Sequence, residues 1–305
     1  MALVFLMYAA FGSVFTAAKI CLDHCLPFFM VGSRMLIAAS LILVFLGLRG
    51  RLSFRLLKQH AFEVVMLGVF NIYLTNGLEF WGMQFLTSSK TSFIYSLSPF
   101  IAALISFFFL GERLSKVQWV GLVIGFFGFL PIFVHTGSGE FSLESFGVFS
   151  LAELAVMGAA TAATLGWMFM KKLMLKGYSP LEVNAWSMLV GAFLSLAHSW
   201  VVEPWDPVPV TGSTVTFIQA TLWMVIVSNL FCYNLYGYLL RSFSVTFMSF
   251  AGFSTAFFAA LWGAMAIGEV PSREFFLSGI VVFCGLFLFY RDEMIKHGIR
   301  IRSVS

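Results

Sequence analysis

Ten long apolar stretches alternate with short polar segments along the chain. A helix needs about 20 apolar residues to cross the hydrocarbon core of a bilayer, and each stretch is close to that length. Strands of a membrane barrel would be about half as long and would alternate strictly between apolar and polar positions. The pattern therefore predicts an all-α membrane protein with ten transmembrane helices. The predicted spans are residues 2–22, 28–48, 62–82, 89–110, 116–134, 148–170, 180–202, 216–240, 244–267 and 273–290.

The composition excludes most other classes of protein. Of 305 residues, 60% are hydrophobic and 10% are charged, whereas an ordinary soluble domain carries about 25% charged residues. A soluble enzyme, a secreted disulfide scaffold and a disordered chain are excluded on this ground. The net charge of +4 comes from a few loops, so we expect no nucleic-acid partner. The chain has no Walker-type phosphate-binding motif, which argues against an ATP-driven pump.

The positions of Lys and Arg predict the orientation in the membrane. Fourteen of the 18 basic residues fall in alternate loops and in the C-terminal tail, and acidic residues dominate the other loops. Because cytoplasmic loops carry the excess of Lys and Arg, we expect both termini in the cytoplasm. The first apolar run continues for a full span, so we expect a helix there rather than a cleaved signal peptide. A bacterial inner membrane is the expected location.

The two halves of the chain resemble each other. Because each half holds five predicted spans, the second half enters the membrane upside down relative to the first. The sequence thus predicts two inverted five-helix repeats, residues 1–135 and 148–305, around a central cavity. Such repeats are typical of secondary transporters, which bind substrate near the middle of the membrane. Since each chain holds both repeats, we expect a monomer surrounded by membrane lipids. The matched positions are Lys19 with Lys172, Pro27 with Pro180, Asn71 with Asn229, Asn76 with Asn234, Ser92 with Ser249, and Gly111-Glu112 with Gly268-Glu269.

Several motifs also carry a resemblance to a known family. They are FGSVFTAAK at 11–19, Pro27 followed by Arg34, Ser98-Pro99-Phe100, and LGERLS at 110–115. Together they resemble the EamA family of the drug/metabolite transporter superfamily. The resemblance implies ten helices in two inverted repeats around a central cavity, and secondary transport of small organic metabolites.

The second half departs from this pattern in two places. Ala256 stands at the position that matches Pro99, and Gly268-Glu269 is followed by Val270-Pro271. We therefore expect the cavity to be less symmetric than the backbone around it.

Ionisable side chains inside spans are costly and are candidates for function. Five qualify: Lys19, Arg34, Glu79, Lys90 and Glu153. Each has a structural alternative, since Lys19 could extend to the headgroups, Lys90 could anchor its span, and Glu153 could interact with a helix dipole. Polar and aromatic residues at helical spacing extend the set, although Asn side chains could instead bond between helices. The candidate substrate-binding residues are Tyr8, Phe15, Lys19, Arg34, Asn71, Asn76, Glu79, Tyr95, Glu153, Trp167, Asn229, Tyr233 and Tyr236.

This set of residue types predicts the chemistry of the substrate. Arg34 or Lys19 could hold a carboxylate, Glu79 or Glu153 could hold an ammonium group, and Tyr and Trp rings could stack on a flat group or face a cation. We therefore expect the small-molecule substrate to be an amino acid or an amino-acid derivative such as S-adenosylmethionine, which some members of the resembled superfamily carry. The alternative is an exporter of lipophilic cations, drugs or lipid-like compounds.

Enzymatic and metal chemistry find no support in the sequence. The five histidines are scattered and match no catalytic or metal-binding spacing. Cys21, Asp23, His24 and Cys25 cluster at the end of the first span, but no second ligand cluster accompanies them. We expect no cofactor, no metal and no enzymatic activity.

Overall fold

Helices make up nearly all of the described chain. The computed structural model describes residues 2–109, 114–129, 145–146, 149–243 and 245–302. Within these ranges, eight helical stretches are long and apolar enough to cross a membrane, and one of them, Met248–Ile267, runs through α10 and α11. This confirms the prediction of a helical, multi-pass membrane protein. The helices are α1 Ala2–Leu22, α2 Pro27–Leu48, α3 Arg55–Met83, α4 Ser88–Tyr95, α5 Ser98–Phe109, α6 Lys116–Gly128, α7 Leu151–Leu175, α8 Pro180–Val202, α9 Thr214–Leu239, α10 Val245–Gly252, α11 Ser254–Ile267 and α12 Arg273–Arg302.

Three predicted spans differ from the rest. The span predicted at 244–267 is divided into α10 and α11 at Phe253. The span predicted at 89–110 is broken into α4 and α5 at Ser96 and Leu97, since Pro99 lacks the N–H group that would bond the carbonyl of Tyr95 four residues earlier. The span predicted at 116–134 begins as predicted, but α6 is a shorter helix that ends at Gly128. The Gly111-Glu112 turn used in the repeat alignment lies outside the described residues.

One small sheet was not predicted. Strand β1, Ser145–Phe146, pairs antiparallel with strand β2, Phe149–Ser150, just before α7 begins at Leu151. The predicted sixth span, 148–170, begins three residues before this helix. The pairing of two-residue strands leaves no pattern long enough to recognise in the sequence.

Local signals fix where several helices begin. Pro27 and Pro180 occupy the first turns of α2 and α8, where a missing N–H costs nothing. Helix α7 begins with a capping box, in which Ser150 and Glu153 satisfy each other's backbone N–H groups. The proline signal repeats in both halves of the chain, so these two equivalent helices begin in equivalent ways.

Two long helices contain π-helical segments. Residues Gly68–Leu74 widen the middle of α3, and residues Val225–Cys232 widen the middle of α9. Such segments are rare and are frequent at functional sites. They place an asparagine, Asn71 or Asn229, in the widened turn of each helix.

Small residues allow close packing between helices. A Cβ atom at Gly121 in α6 would lie 2.6 Å from the carbonyl oxygen of Gly285 in α12, so these two backbones touch. Helix α2 packs along α8 in the same manner at Gly32, against Leu196. Glycine at such interfaces is typical of helix packing in membranes. Large apolar side chains such as Phe62, Trp200 and Leu277 are exposed on the outside of the bundle, where a bilayer would cover them.

Candidate functional site

A cavity lies between the helices of the first and second halves. Ten of the 13 candidate residues from the sequence line it. Its walls come from α1 to α5 and from α7, α9, α10 and α11. The lining residues are Tyr8, Phe11, Val14, Phe15, Arg34, Asn71, Thr75, Asn76, Glu79, Phe80, Ser92, Tyr95, Ser96, Ser98, Ala163, Thr164, Trp167, Ser228, Tyr233, Tyr236, Ser249, Gly252 and Thr255.

The first half of the chain supplies the charged part of the wall. Arg34 is 1% exposed; its Nη2 donates to Asn76 Oδ1 and its Nη1 lies 3.3 Å from Met224 Sδ. Its guanidinium also lies over the Phe80 ring, 4.7 Å from the centroid. The Nε–H group has no hydrogen-bond partner among the described residues. A buried N–H without a partner is costly, so Arg34 has a hydrogen bond that the fold does not supply.

Glu79 supplies the acidic group. It is 8% exposed, and its carboxyl group forms no hydrogen bond with another described residue. The side chains of Arg34 and Glu79 line the same cavity without forming an ion pair within 4 Å in the described chain. Each charge is therefore open to a ligand group of opposite sign.

The second half supplies three aromatic side chains to the lining, two of them stacked. The rings of Trp167 and Tyr236 are stacked at 3.9 Å between centroids, with planes 22° apart. Tyr233 lies 5.5 Å from Trp167, and Tyr8 meets Tyr236 edge to face at 6.4 Å. These side chains can stack on a flat ring or face a cation.

Serine and threonine side chains in the lining were largely missed by the sequence analysis. Ser96, Ser98, Ser249 and Thr255 line the cavity from the broken helices α4–α5 and α10–α11. The internal repeat held a usable signal, because an offset of 157 residues pairs Ser98 with Thr255 as it pairs Ser92 with Ser249. Short hydroxyls are common elsewhere in the chain, and this obscured the signal.

Three candidate residues lie outside the lining. Lys19 Nζ donates to the carbonyl oxygens of Met83 and Leu86, each at 2.8 Å, at the end of α3. Glu153 lies 3.1 Å from Lys90 Nζ and also accepts from the Ser150 backbone N–H. Asn229 Nδ2 donates to Met35 Sδ at 3.0 Å, and its buried Oδ1 has no hydrogen-bond partner among the described residues. Lys19 and Glu153 are bonded within the protein and Asn229 does not line the cavity, so all three are weaker candidates for substrate contact than Arg34 and Glu79.

The lysine pairing of the repeat alignment is shifted by one residue in space. Lys171, rather than Lys172, donates to the carbonyl oxygens of Leu240 and Phe243 at the end of α9. This contact is the counterpart of the Lys19 contact at the end of α3. Lys172 instead forms an ion pair with Glu63 at 3.1 Å.

The fold and the comparisons together define the class of protein. The model of the EamA-like transporter family matches residues 1–134 and 150–291. The chain therefore belongs to this family, which confirms the predicted resemblance, and it is a membrane transporter rather than an enzyme.

Individual relatives are more specific. The chain is 39% identical over 294 residues to the S-adenosylmethionine/S-adenosylhomocysteine transporter of Chlamydia muridarum, covering 95% of this chain and 91% of that one. It is 38% identical to the protein of the same name from Chlamydia trachomatis serovar L2, covering 95% and 89%. A solved structure titled "Crystal structure of protein" shares the fold, with a TM-score of 0.66 at 15% identity over 94% of this chain and 93% of that one.

Proposed function

We propose that this protein exchanges S-adenosylmethionine for S-adenosylhomocysteine across the membrane. The observation that carries the proposal is that one cavity is lined by two ionisable side chains, Arg34 and Glu79, and by a stacked pair of rings, Trp167 and Tyr236. Both compounds join an amino-acid zwitterion to an adenosine group, so they match these two kinds of lining group. The similarity to proteins named for this transport supports the same substrate.

The proposed binding mode assigns one group of the substrate to each part of the cavity. Arg34 holds the carboxylate, since a guanidinium matches the geometry of a carboxylate. Glu79 holds the ammonium group. The stacked rings of Trp167 and Tyr236 contact the adenine or the sulfonium. Of the alternatives from the sequence, Lys19 and Glu153 are left out because both are bonded away from the cavity.

The proposed transport mechanism is alternating access between two inverted five-helix repeats, residues 1–135 and 148–305. Three pairs of similar features support the repeat: the π-helical segments of α3 and α9, the Lys19 and Lys171 contacts, and the lining pair Ser92 and Ser249. An inverted repeat gives inward-open and outward-open states of similar energy. In this arrangement ten helices span a bacterial cytoplasmic membrane, both termini are cytoplasmic, and the monomer is the transport unit.

One observation favours a second candidate function. The Glu79 carboxylate, which lacks a partner among the described residues, faces a cavity with aromatic walls, and lipophilic cations bind in such surroundings. Export of such cations would need Glu79 and the rings but not Arg34. Arg34 therefore distinguishes the two functions.

Transport in proteoliposomes tests the proposal. Vesicles preloaded with S-adenosylhomocysteine should take up radiolabelled S-adenosylmethionine in a saturable manner. Replacing Arg34 with Gln should reduce this uptake by about 10- to 100-fold, because a charge-assisted hydrogen bond to the carboxylate is lost. The matched control is Arg49→Gln, since Arg49 is exposed at the end of α2. Absence of saturable uptake by the wild type, or retained cation transport alone, would contradict the proposal.

A further inference from the structure

Each π-helical segment contains one asparagine, Asn71 or Asn229. A second asparagine, five residues later in the chain, bonds backbone carbonyls of the segment. Asn76 Nδ2 donates to the carbonyl oxygens of Asn71 and Ile72, at 3.2 and 2.9 Å. Asn234 Nδ2 donates in the same way to the carbonyl oxygens of Asn229 and Leu230, at 3.2 and 2.8 Å. A widened turn disturbs the regular backbone hydrogen bonds, and these amides satisfy the displaced carbonyls.

Asn76 and Asn234 differ in the donor that bonds the side-chain oxygen. Asn76 Oδ1 accepts from Arg34 Nη2, whereas Asn234 Oδ1 accepts from Asn184 Nδ2 at 3.0 Å. Because the Nδ2 group is committed to backbone carbonyls, the orientation of each amide is fixed. The Asn76 oxygen must then point at Arg34 and cannot exchange places with the nitrogen.

The polar atoms of Asn76 are fully used within the protein. Besides the two carbonyls, Nδ2 lies 3.3 Å from the Tyr233 hydroxyl, and Oδ1 is occupied by Arg34. Asn76 borders the cavity, but both ends of its amide are already bonded. Its effect on a ligand therefore passes through Arg34.

We propose that Asn76 is a positioning residue that holds the Arg34 guanidinium against the cavity wall, ready for the carboxylate of the substrate. The assignment rests on the proposed function. An unrestrained Arg side chain loses much rotamer freedom on binding, and a guanidinium that is already fixed by Asn76 and Phe80 loses less. The widened turn of α3 thus serves to place one acceptor beside Arg34.

A pair of ligands separates this role from a structural one. Binding to the purified full chain is measured for S-adenosylmethionine and for its decarboxylated analogue, which lacks only the carboxylate. Replacing Asn76 with Ala should weaken S-adenosylmethionine binding by about 10-fold and change binding of the analogue by less than about threefold. In an Arg34→Ala background, the Asn76→Ala change should no longer alter the preference between the two ligands.

Two further variants complete the experiment. Asn76→Ser keeps a hydroxyl that can bond the carbonyl four residues earlier, so the helix is preserved. Its oxygen lies one bond closer to the backbone than Asn76 Oδ1, which withdraws the acceptor from Arg34. This variant should show the same selective loss if Asn76→Ala does not fold. Asn234→Ala is the matched control, because it opens the equivalent turn without touching Arg34, and it should affect both ligands equally.

The outcomes separate the positioning role from the proposed function. Equal losses for both ligands in the Asn76 variants, or no loss at all, would overturn the positioning role while leaving the substrate proposal intact. A wild-type chain that binds neither ligand would overturn the proposed substrate, and the positioning role with it.

Discussion

Charged side chains inside the spans fall into two groups at the scale of single residues. Lys19, Lys90 and Glu153 are bonded to carbonyl oxygens or to each other, so the protein itself stabilises them. Arg34 keeps an unpaired N–H, and the Glu79 carboxylate has no hydrogen-bond partner among the described residues. When the fold supplies no partner for a buried charged group, a ligand can supply that partner.

Removal of the Glu79 charge should weaken ligand binding without harming the fold. Glu79→Gln should reduce the affinity for S-adenosylmethionine by about 10- to 100-fold, because the charge-assisted bond to the ammonium group is lost. The melting temperature of the ligand-free protein should stay equal or rise, since an unpartnered charge is removed. Binding measurements and thermal denaturation of the purified protein check both effects.

The control for this change is Glu203→Gln. Glu203 accepts the backbone N–H groups of Phe28 and Phe29 at 2.7 and 2.9 Å, so it caps the start of α2. Its replacement should lower the melting temperature and leave the relative affinities of different ligands unchanged. A Glu79 variant that behaves like this control would contradict a ligand-binding role.

At the scale of elements, α4 is bonded to two other segments of the chain, α7 and the turn that follows α11. The Lys90–Glu153 ion pair joins it to α7, and Glu269 accepts the backbone N–H of Ser88 at 3.1 Å. Both contacts hold the short helix that precedes the break before α5, and serines on both sides of this break line the cavity. The position of one cavity wall therefore depends on contacts at the end of a short helix.

Breaking the Lys90–Glu153 pair should be costly. Lys90→Met strands a buried carboxylate and should reduce the free energy of unfolding by about 3–5 kcal/mol, measured by denaturant unfolding in detergent. The double variant Lys90→Met/Glu153→Gln should recover more than half of this loss, because a glutamine side chain at position 153 can still accept the Ser150 N–H. Lys172→Met removes an exposed lysine from Glu63, which keeps Lys176 as a partner, and should cost less than about 1 kcal/mol. Similar costs for both single variants would refute the buried pair.

Contact between α6 and α12 gives a separate prediction. A methyl group at Gly121 would meet the carbonyl oxygen of Gly285 at 2.6 Å, so Gly121→Ala must push the helices apart and should cost about 1–3 kcal/mol of unfolding free energy. Gly47→Ala in α2 is the control, since nothing lies within 4 Å of its Cβ position. That change should stabilise the protein by about 0.5–1 kcal/mol through helix propensity. Equal effects at the two positions would contradict the close contact.

For the whole molecule, the proposed exchange determines how the membrane potential acts on transport. S-adenosylmethionine carries one positive charge more than S-adenosylhomocysteine because of its sulfonium group. One cycle of exchange therefore moves one positive charge, which is worth about 2.3 kcal/mol per 100 mV. An inside-negative potential should drive S-adenosylmethionine into vesicles.

Potassium gradients with valinomycin can test this expectation. An inside-negative potential should raise S-adenosylmethionine uptake by vesicles loaded with S-adenosylhomocysteine, and reversal of the gradient should lower it. Exchange of labelled for unlabelled S-adenosylhomocysteine moves no net charge and should not respond. If neither exchange responds to the membrane potential, another ion must compensate the charge that S-adenosylmethionine carries.

Sequence information was sufficient for the class of protein and for most of the helices. The length and apolarity of a span are local properties that follow from the thickness of the bilayer, so eight long helices lie where apolar stretches predicted them. Pro27 and Pro180 likewise marked helix starts through their own geometry. The family could be recognised because its motifs, such as Ser98-Pro99-Phe100, stand in continuous stretches of chain.

Only the tertiary structure decided which polar groups face the cavity. Lys19 and Arg34 look alike in the sequence, and only the ends of neighbouring helices determine that one is bonded by carbonyls while the other lines the site. The π-helical turn also shifts the faces of α9, so that Ser228 lines the cavity and the predicted Asn229 contacts Met35. A pattern with a fixed helical period cannot contain such a shift, because the extra residue in the turn is set by packing between helices.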